Sequence, residues 1–240
     1  MNGHTVTDIH SHILFGIDDG AADLPMSLQM AENAWNQGIG TIFCTSHSWS
    51  NLKNYFNHFM LLQKALQEKK IQVALFQGCE IACCAENISY IAEKIRCGEI
   101  PCMGKSNYLL LEFFPDVSGS EIVACINRMK EETQHNIILA HTERYTNLLD
   151  DFQTLGILKH ADICIQINAY SLVEEPDLKI KKFAQKLLED RMVTFVGSDA
   201  HRTTHRSYSM KSGIEYIYSH CDSMYADKIC FQNAEILVHR

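Results

Sequence analysis

Asp8-Ile9-His10-Ser11-His12-Ile13-Leu14-Phe15-Gly16-Ile17-Asp18-Asp19-Gly20 sets two alternate histidines ahead of a paired aspartate. Residues 5–10 read as a β-strand, and in an extended chain residues i and i+2 project from the same face. His10 and His12 therefore point side by side where the strand runs into its loop, and Asp18 and Asp19 follow within reach. Two imidazoles and a carboxylate suit a transition-metal cation, because nitrogen donors favour zinc, manganese or iron over the oxygen-seeking magnesium and calcium. The bland alternative is a pair of hydrogen-bonded histidines in a solvent-facing turn, and the downstream sequence weighs against it.

Seven β-rich runs recur, at 5–10, 41–45, 71–76, 108–113, 136–140, 163–167 and 192–196. Each leads into a polar or ionisable residue: His12, His47, Glu80, Glu112, His141, Asn168 and Asp199. The spacings are 35, 33, 32, 29, 27 and 31 residues, about one strand plus one crossover helix. Seven such units predict an α/β fold with a parallel, barrel-like sheet. No linker, low-complexity tract or repeat interrupts it, so residues 1–240 read as one domain.

The intervening helices are legible. Asp23 as a cap and Pro25 in the first turn open one with Leu24, Leu28, Ala31 and Trp35 on a single face, and Gly38 ends it. Residues 54–69 predict a second, with Phe56, Phe59, Leu62 and Leu66 inward. Others fall near 119–132, with Ile122, Ile126 and Met129, and near 176–190, with Ile180, Phe183, Ala184 and Leu187; residues 233–238 close the chain. These stripes are core. In a parallel barrel the C-terminal strand ends open on one face, where active sites are assembled.

Composition narrows the function classes. Hydrophobic content of 46% and charged content of 21% describe an ordinary globule. A net charge of −8 argues against nucleic-acid binding and against adsorption to anionic membranes. No basic N-terminal segment precedes an apolar core and no run reaches ~20 apolar residues, so a cytoplasmic protein without membrane insertion is expected. The ten cysteines include Cys44, Cys79, Cys125 and Cys164 inside apolar runs, which predicts buried, reduced thiols. No Cys-x-x-Cys occurs, no cysteine has an arginine six positions on, and no Gly-x-Ser-x-Gly elbow is found. Gly104-Lys105-Ser106 mimics the end of a phosphate-binding loop, but Glu99 stands where its first glycine belongs. His4, His58, His135, His160, His220 and His239 are read as helix, turn or terminal residues without a catalytic task.

His10, His12, Asp19, His47, Glu80, Glu112, His141, Asp199 and His201 are nine potential ligands at six strand ends, although such residues usually populate exposed helix faces. With these motifs the chain resembles the PHP superfamily of metal-dependent phosphoesterases, and within it the bacterial capsule-associated protein-tyrosine phosphatases of the CpsB/YwqE type. The likeness covers nearly the whole chain. It rests on Asp8-Ile-His-Ser-His through Asp18-Asp19-Gly20, Thr45-Ser46-His47, Cys79-Glu80, Leu111-Glu112-Phe113, Ala140-His141-Thr142-Glu143-Arg144-Tyr145 and Gly197-Ser198-Asp199-Ala200-His201. Thr142 stands where the pattern has proline, and Cys79 is unusual; neither removes a ligand.

The resemblance implies a distorted seven-stranded (β/α)7 parallel barrel of PHP type with three divalent metal ions, manganese first, iron or zinc also fitting. It implies that His10, His12, Glu80 and Asp199 hold one ion, that Glu80 bridges to a second held by Glu112 and His141, and that Asp19, His47 and His201 hold the third. Asp18 is left to turn or supporting duty, and Asp8 is expected to orient a histidine through its second ring nitrogen. Four carboxylates against three divalent cations leave two positive charges, which draws a phosphomonoester dianion to an otherwise acidic chain. The expected nucleophile is a metal-bridging hydroxide. Arg144 and Arg206 are the expected phosphate-binding residues, the alternative being a surface ion pair with Glu143. Arg202 and His205 are weaker candidates, and the leaving-group acid stays open among His205, His201 and a metal-bound water. The implied substrate is a phosphotyrosine protein such as a tyrosine autokinase of polysaccharide synthesis or export. A small-molecule phosphatase of the histidinol-phosphate type and a non-catalytic, metal-stabilised binding module are the competing readings.

Overall fold

The computed structural model describes residues 5–238, so His4 and His239 lie outside the described residues. Its first half runs β1 (Val6–Ser11), α1 (Leu24–Asn36), β2 (Ile39–Cys44), α2 (Tyr55–Lys69), β3 (Ala74–Gln77), β4 (Glu80–Ala82) and α3 (Ile88–Arg96). It continues β5 (Tyr108–Glu112), α4 (Gly119–Thr133), β6 (Asn136–Leu139), α5 (Phe152–His160), β7 (Cys164–Asn168), α6 (Leu178–Glu189) and β8 (Val193–Gly197). Three helices follow, α7 (Lys211–His220), α8 (Ser223–Cys230) and α9 (Glu235–Val238).

All strand pairs are parallel, as crossover helices require. Instead of one seven-stranded sheet, the described residues form two, β1-β2-β3 and β4-β5-β6-β7-β8. The departure lies in the third run. Lys70 ends α2 at φ 58°, and the Ile71 amide still bonds back to Leu66 O at 3.0 Å, so pairing begins only at Ala74. The chain then changes sheets at Gly78, where a side chain would meet Met103 Sδ at 2.9 Å, and Glu80 opens β4 beside β5. Two isolated parallel bridges join the sheets, Ser11 to Ala200 and His47 to Glu80. The first joins the C-terminal ends of β1 and β8, and the second joins the end of β2 to the start of β4.

Helix signals translate into caps. Asp23 accepts from the Met26 amide at 2.9 Å, and Ser118 with Glu121 forms a complete capping box on α4. α1 buries Ser27, Met30, Ala31 and Ala34, with Leu24 and Leu28 partly buried and Trp35 exposed, and α2 keeps Phe59, Leu62 and Leu66 inward as expected but buries Tyr55 rather than Phe56. The Tyr55 hydroxyl explains that exchange, because it donates to Cys44 O at 2.6 Å and accepts from the Gly78 amide at 3.0 Å. In α6, Ile180 is only half-buried while Leu188 is buried.

One large apolar cluster packs the helices on the sheets. A second takes Ile9, Phe43, Leu110, Ile138 and Phe195 from strands of both sheets, with Leu237 of α9 against them. None of the ten cysteines is joined in a disulfide; Cys44, Cys79, Cys83, Cys125 and Cys230 are buried, whereas Cys164 is only half-buried and Cys97 is exposed. No helix among the described residues is long and apolar enough to cross a membrane.

Candidate metal centre

β1 is buried along its whole length and delivers His10 and His12 to one spot, their Nε2 atoms 3.4 Å apart. Glu80, at the start of β4, meets both: Oε1 lies 3.1 Å from His10 Nε2 and Oε2 lies 3.1 Å from His12 Nε2. Asp199, after β8, places Oδ1 at 3.7 and 3.6 Å from the same two nitrogens. His141 Nε2 approaches Glu80 Oε1 at 2.9 Å and Glu112 Oε2 at 3.7 Å. His47 and His201 each bring Nε2 within 3.5 Å of Asp19 Oδ1. All nine expected ligands thus converge.

Four of the five imidazoles are held by one nitrogen and offer the other. Carboxylates and carbonyls only accept, so the held nitrogen carries the proton. His12 Nδ1 donates to Asp18 Oδ2 at 2.8 Å, His10 Nδ1 to Gln166 Oε1 at 3.2 Å, His201 Nδ1 to Asp199 O at 2.9 Å and His47 Nδ1 to Glu112 Oε1 at 3.1 Å. Metal-bound histidines need this arrangement. His141 is the exception, its buried Nδ1 having no partner.

Buried polar groups are nearly always hydrogen-bonded, yet His201 Nε2 has no such partner, and Glu80 Oε2 meets only the imidazole nitrogens of His12 and His47, at 3.1 and 3.0 Å. Donor atoms about 2.1 Å from a shared cation lie roughly 3 to 3.5 Å apart, close to the spacings found here. Three overlapping groups of donors fall within 4.8 Å of one another: His12, Asp19, His47 and His201; His10, His12 and Glu80; and His47, Glu80 and Glu112. The nitrogen and carboxylate set fits a transition-metal cluster.

Electrostatics agree. Burial opposes the proton on His12, but the carboxylates of Asp18 and Glu80 outweigh it and push the pKa up to about 9. Burial is likewise overcome at His47 and His141, where Glu112 and Glu80 raise both to about 10. Burial and the neighbouring His12 charge drive His201 the other way, leaving it a neutral donor. Glu80 stays ionised despite complete burial because His10, His12 and His141 surround it. Without cations, protons do the neutralising.

Sequence reasoning misjudged or missed several supports. Asp8 orients no histidine ring; its carboxylate accepts from the His10 amide at 3.1 Å and from Ser198 N and Oγ at 2.8 and 2.7 Å, tying β1 to the end of β8. The ring of His10 is held by Gln166, whose Oε1 also accepts from the His141 amide at 2.7 Å and whose Nε2 donates to Asn168 Oδ1 at 3.0 Å. Asn168 passes the chain on to Asp199 Oδ2 at 3.3 Å. Gln166 sits within a strand pattern of apolar neighbours, and a lone amide there was the only available signal.

Arg144 and Arg206 flank Asp199, with Arg144 Nη1 3.3 Å from Oδ2 and Arg206 Nη2 3.0 Å from both oxygens. No Glu143 pair forms: Glu143 is fully buried and accepts from the Asn168 amide at 3.0 Å and Ser171 Oγ at 2.8 Å. Arg202 Nη2 donates to Asp19 O at 3.0 Å, and His205 is exposed. His141, Asp199 and Arg206 adopt positive φ, at 28°, 53° and 50°. Such conformations cost about 1–3 kcal/mol each and persist where surroundings over-determine them.

Fold and cluster together define a parallel α/β protein that gathers a histidine and carboxylate metal-binding cluster at its strand ends. The chain belongs to the CpsB/CapC family of capsular polysaccharide synthesis, whose family model matches residues 6–239. Among its relatives, the tyrosine-protein phosphatase CpsB of Streptococcus agalactiae serotype III (strain NEM316) is 24% identical over 96% of this chain and 97% of its own length. The tyrosine-protein phosphatase YwqE of Bacillus subtilis (strain 168) is 27% identical over 96% of this chain and 91% of its own. A solved structure from the work on YwqE of Bacillus subtilis and CpsB of Streptococcus pneumoniae, described as unique metal-dependent tyrosine phosphatases, matches with a TM-score of 0.85 at 26% identity, covering 97% of this chain and 94% of that one.

Proposed function

We propose that this chain is a metal-dependent protein-tyrosine phosphatase. The observation that carries the reading is the convergence of nine metal-competent side chains with cation-like donor spacing, in a family whose compared members are tyrosine phosphatases. In this reading His10, His12, Glu80 and Asp199 hold one divalent ion, Glu80, Glu112 and His141 a second, and Asp19, His47 and His201 a third. The sharing of Glu80 between two donor groups and the grouping of Asp19, His47 and His201 support it, while His12 also falls with the latter three and His47 with Glu80 and Glu112. The donor set suits manganese, iron or zinc. Bound ions supply Lewis acidity and lower the pKa of bound water to about 7.

The protein's own side chains bind and orient. Arg144 and Arg206 hold Asp199 from two sides, and each guanidinium has further N–H groups for phosphoryl oxygens. Four carboxylates against three divalent ions leave the site cationic toward a phosphate dianion. A phenolate leaving group needs little protonation, which fits the absence of a fixed acid at the exposed His205. Asp19, with half its side chain exposed, gives the cluster an open edge suited to a protein-borne phosphotyrosine rather than a small enclosed substrate.

The family's tie to capsular polysaccharide synthesis supports a tyrosine autokinase of that process as partner. A family match across residues 6–239 supports one catalytic domain over residues 1–240, closed as a distorted barrel by the bridges between the sheets. Five buried cysteine thiols, at Cys44, Cys79, Cys83, Cys125 and Cys230, support a cytoplasmic setting. The test compares hydrolysis of a phosphotyrosyl peptide and histidinol phosphate by metal-loaded protein, with and without chelator. Chelator-sensitive turnover of the peptide is expected; preference for histidinol phosphate, or turnover of neither, overturns the reading.

A further inference from the structure

The cluster is graded in exposure. His10, His12, Glu80 and Asp199 are buried, while the side chains of His47, Glu112 and Asp19 are 11, 18 and 52% exposed. Among the ligands the exposed edge is therefore the Asp19, His47 and Glu112 side, and Arg144 and Arg206, 36 and 33% exposed, rim the Asp199 side. A monoester with its phosphoryl group toward Arg144, Arg206 and the buried donors carries its leaving group out past that edge.

Trp49 stands there, two residues beyond His47. Its indole stacks on the His47 imidazole with centroids 4.6 Å apart and planes 23° apart, yet the residue is 62% exposed. The platform is fixed from both sides. His47 is held at its edges, Nδ1 against Glu80 and Glu112 and Nε2 toward Asp19. Ser48, between the two, donates its amide to Glu80 O at 2.8 Å and accepts from the Ala82 amide at 3.1 Å. A large flat apolar face stacked on one side and open to water on the other, beside the exit, is matched by another aromatic ring, and poorly by an alkyl chain.

From this juxtaposition we propose that Trp49 is the specificity-determining residue for the leaving group, its exposed face stacking the ring of an aryl phosphate so that aryl esters are taken in preference to alkyl esters. The proposal rests on the phosphatase reading above and deepens it. The stacked ring belongs to the leaving group, so its loss is felt in binding and appears in KM.

The test pairs phenyl phosphate with ethyl phosphate on metal-loaded protein. Trp49→Ala lowers kcat/KM for phenyl phosphate about fivefold, chiefly through KM, with a much smaller loss on ethyl phosphate, and Trp49→Phe restores most of it; metal content equal to wild type shows the cluster intact. The chain has two tryptophans, so in Trp35→Phe the emission reports Trp49 alone. That emission responds to phenylphosphonate and not to methylphosphonate. Equal losses on both esters, no loss on either, or identical responses to both phosphonates overturn the proposal. Wild-type protein inert on both esters sinks the phosphatase reading instead, and the phosphonate titration then decides on its own whether Trp49 selects an aryl anion.

Discussion

Asp18 Oδ2 lies 2.8 Å from His12 Nδ1, and this one contact fixes which nitrogen of His12 faces the cluster. The same oxygen accepts the His47 amide at 3.0 Å, so a single carboxylate sets the position of two candidate ligands. Burial disfavours its charge, but His12 and the Gly20 and His47 amides hold the Asp18 pKa down to about 2. Asp18→Asn keeps the shape and loses the charge. Metal affinity falls about 10–100-fold while the fold survives, as checked by metal titration alongside circular dichroism; unaltered affinity would remove Asp18 from the account.

Gln166 performs the same service for His10 and also caps the His141 amide. Gln166→Ala leaves that buried amide without an acceptor, which costs about 1–3 kcal/mol. For a chain of this size each kcal/mol lowers Tm by about 2–4 °C. Thermal melts check the stability and the metal titration checks the ligand; a variant normal in both contradicts the network.

Arg206 offers its guanidinium beside Asp199 at the edge of the cluster. Removing a charged hydrogen bond of about 1.5–3 kcal/mol corresponds to roughly 10–100-fold in kcat/KM. Arg206→Ala should lose that much on a phosphotyrosyl peptide with its metal content preserved, and Arg206→Lys should recover part. Unchanged kinetics would retire the phosphate-binding role, and the same comparison serves for Arg144.

Protons and cations compete for the same nitrogens. In chelated protein the raised pKa values of about 9 for His12 and about 10 for His47 and His141 exceed the ordinary 6.5. Stability from these protonated pairs is therefore fully present below about pH 6.5 and lost as pH rises through 9–10. Bound cations replace those protons, so the Tm gap between loaded and chelated protein widens from pH 7 to pH 10. Melts across that range test it; a gap that narrows contradicts the proton inventory.

The ligand set was legible in the sequence because it sits at strand ends with regular spacing, and His12, His47, Glu80, Glu112, His141 and Asp199 mark six of seven repeats. Asp18 as a support was legible from its adjacency to Asp19. Gln166 and the true role of Asp8 were not, since their partners lie 156 and 190 residues away. The split of the third strand at Gly78 was hidden for a similar reason: it depends on which neighbour Glu80 pairs with, not on local propensity. Tyr55 takes the inward place expected of Phe56 because its hydroxyl finds partners there, which hydrophobic periodicity does not register.

In this reading one histidine and carboxylate cluster binds the cations on which turnover depends. The most direct measurement is stepwise return of manganese to chelated protein, recording bound metal per chain and phosphate released from a phosphotyrosyl peptide on the same samples. Activity rising from none in step with occupancy, toward about three ions per chain, is the expected result. Turnover that persists in metal-free protein, or full occupancy without turnover, would contradict it.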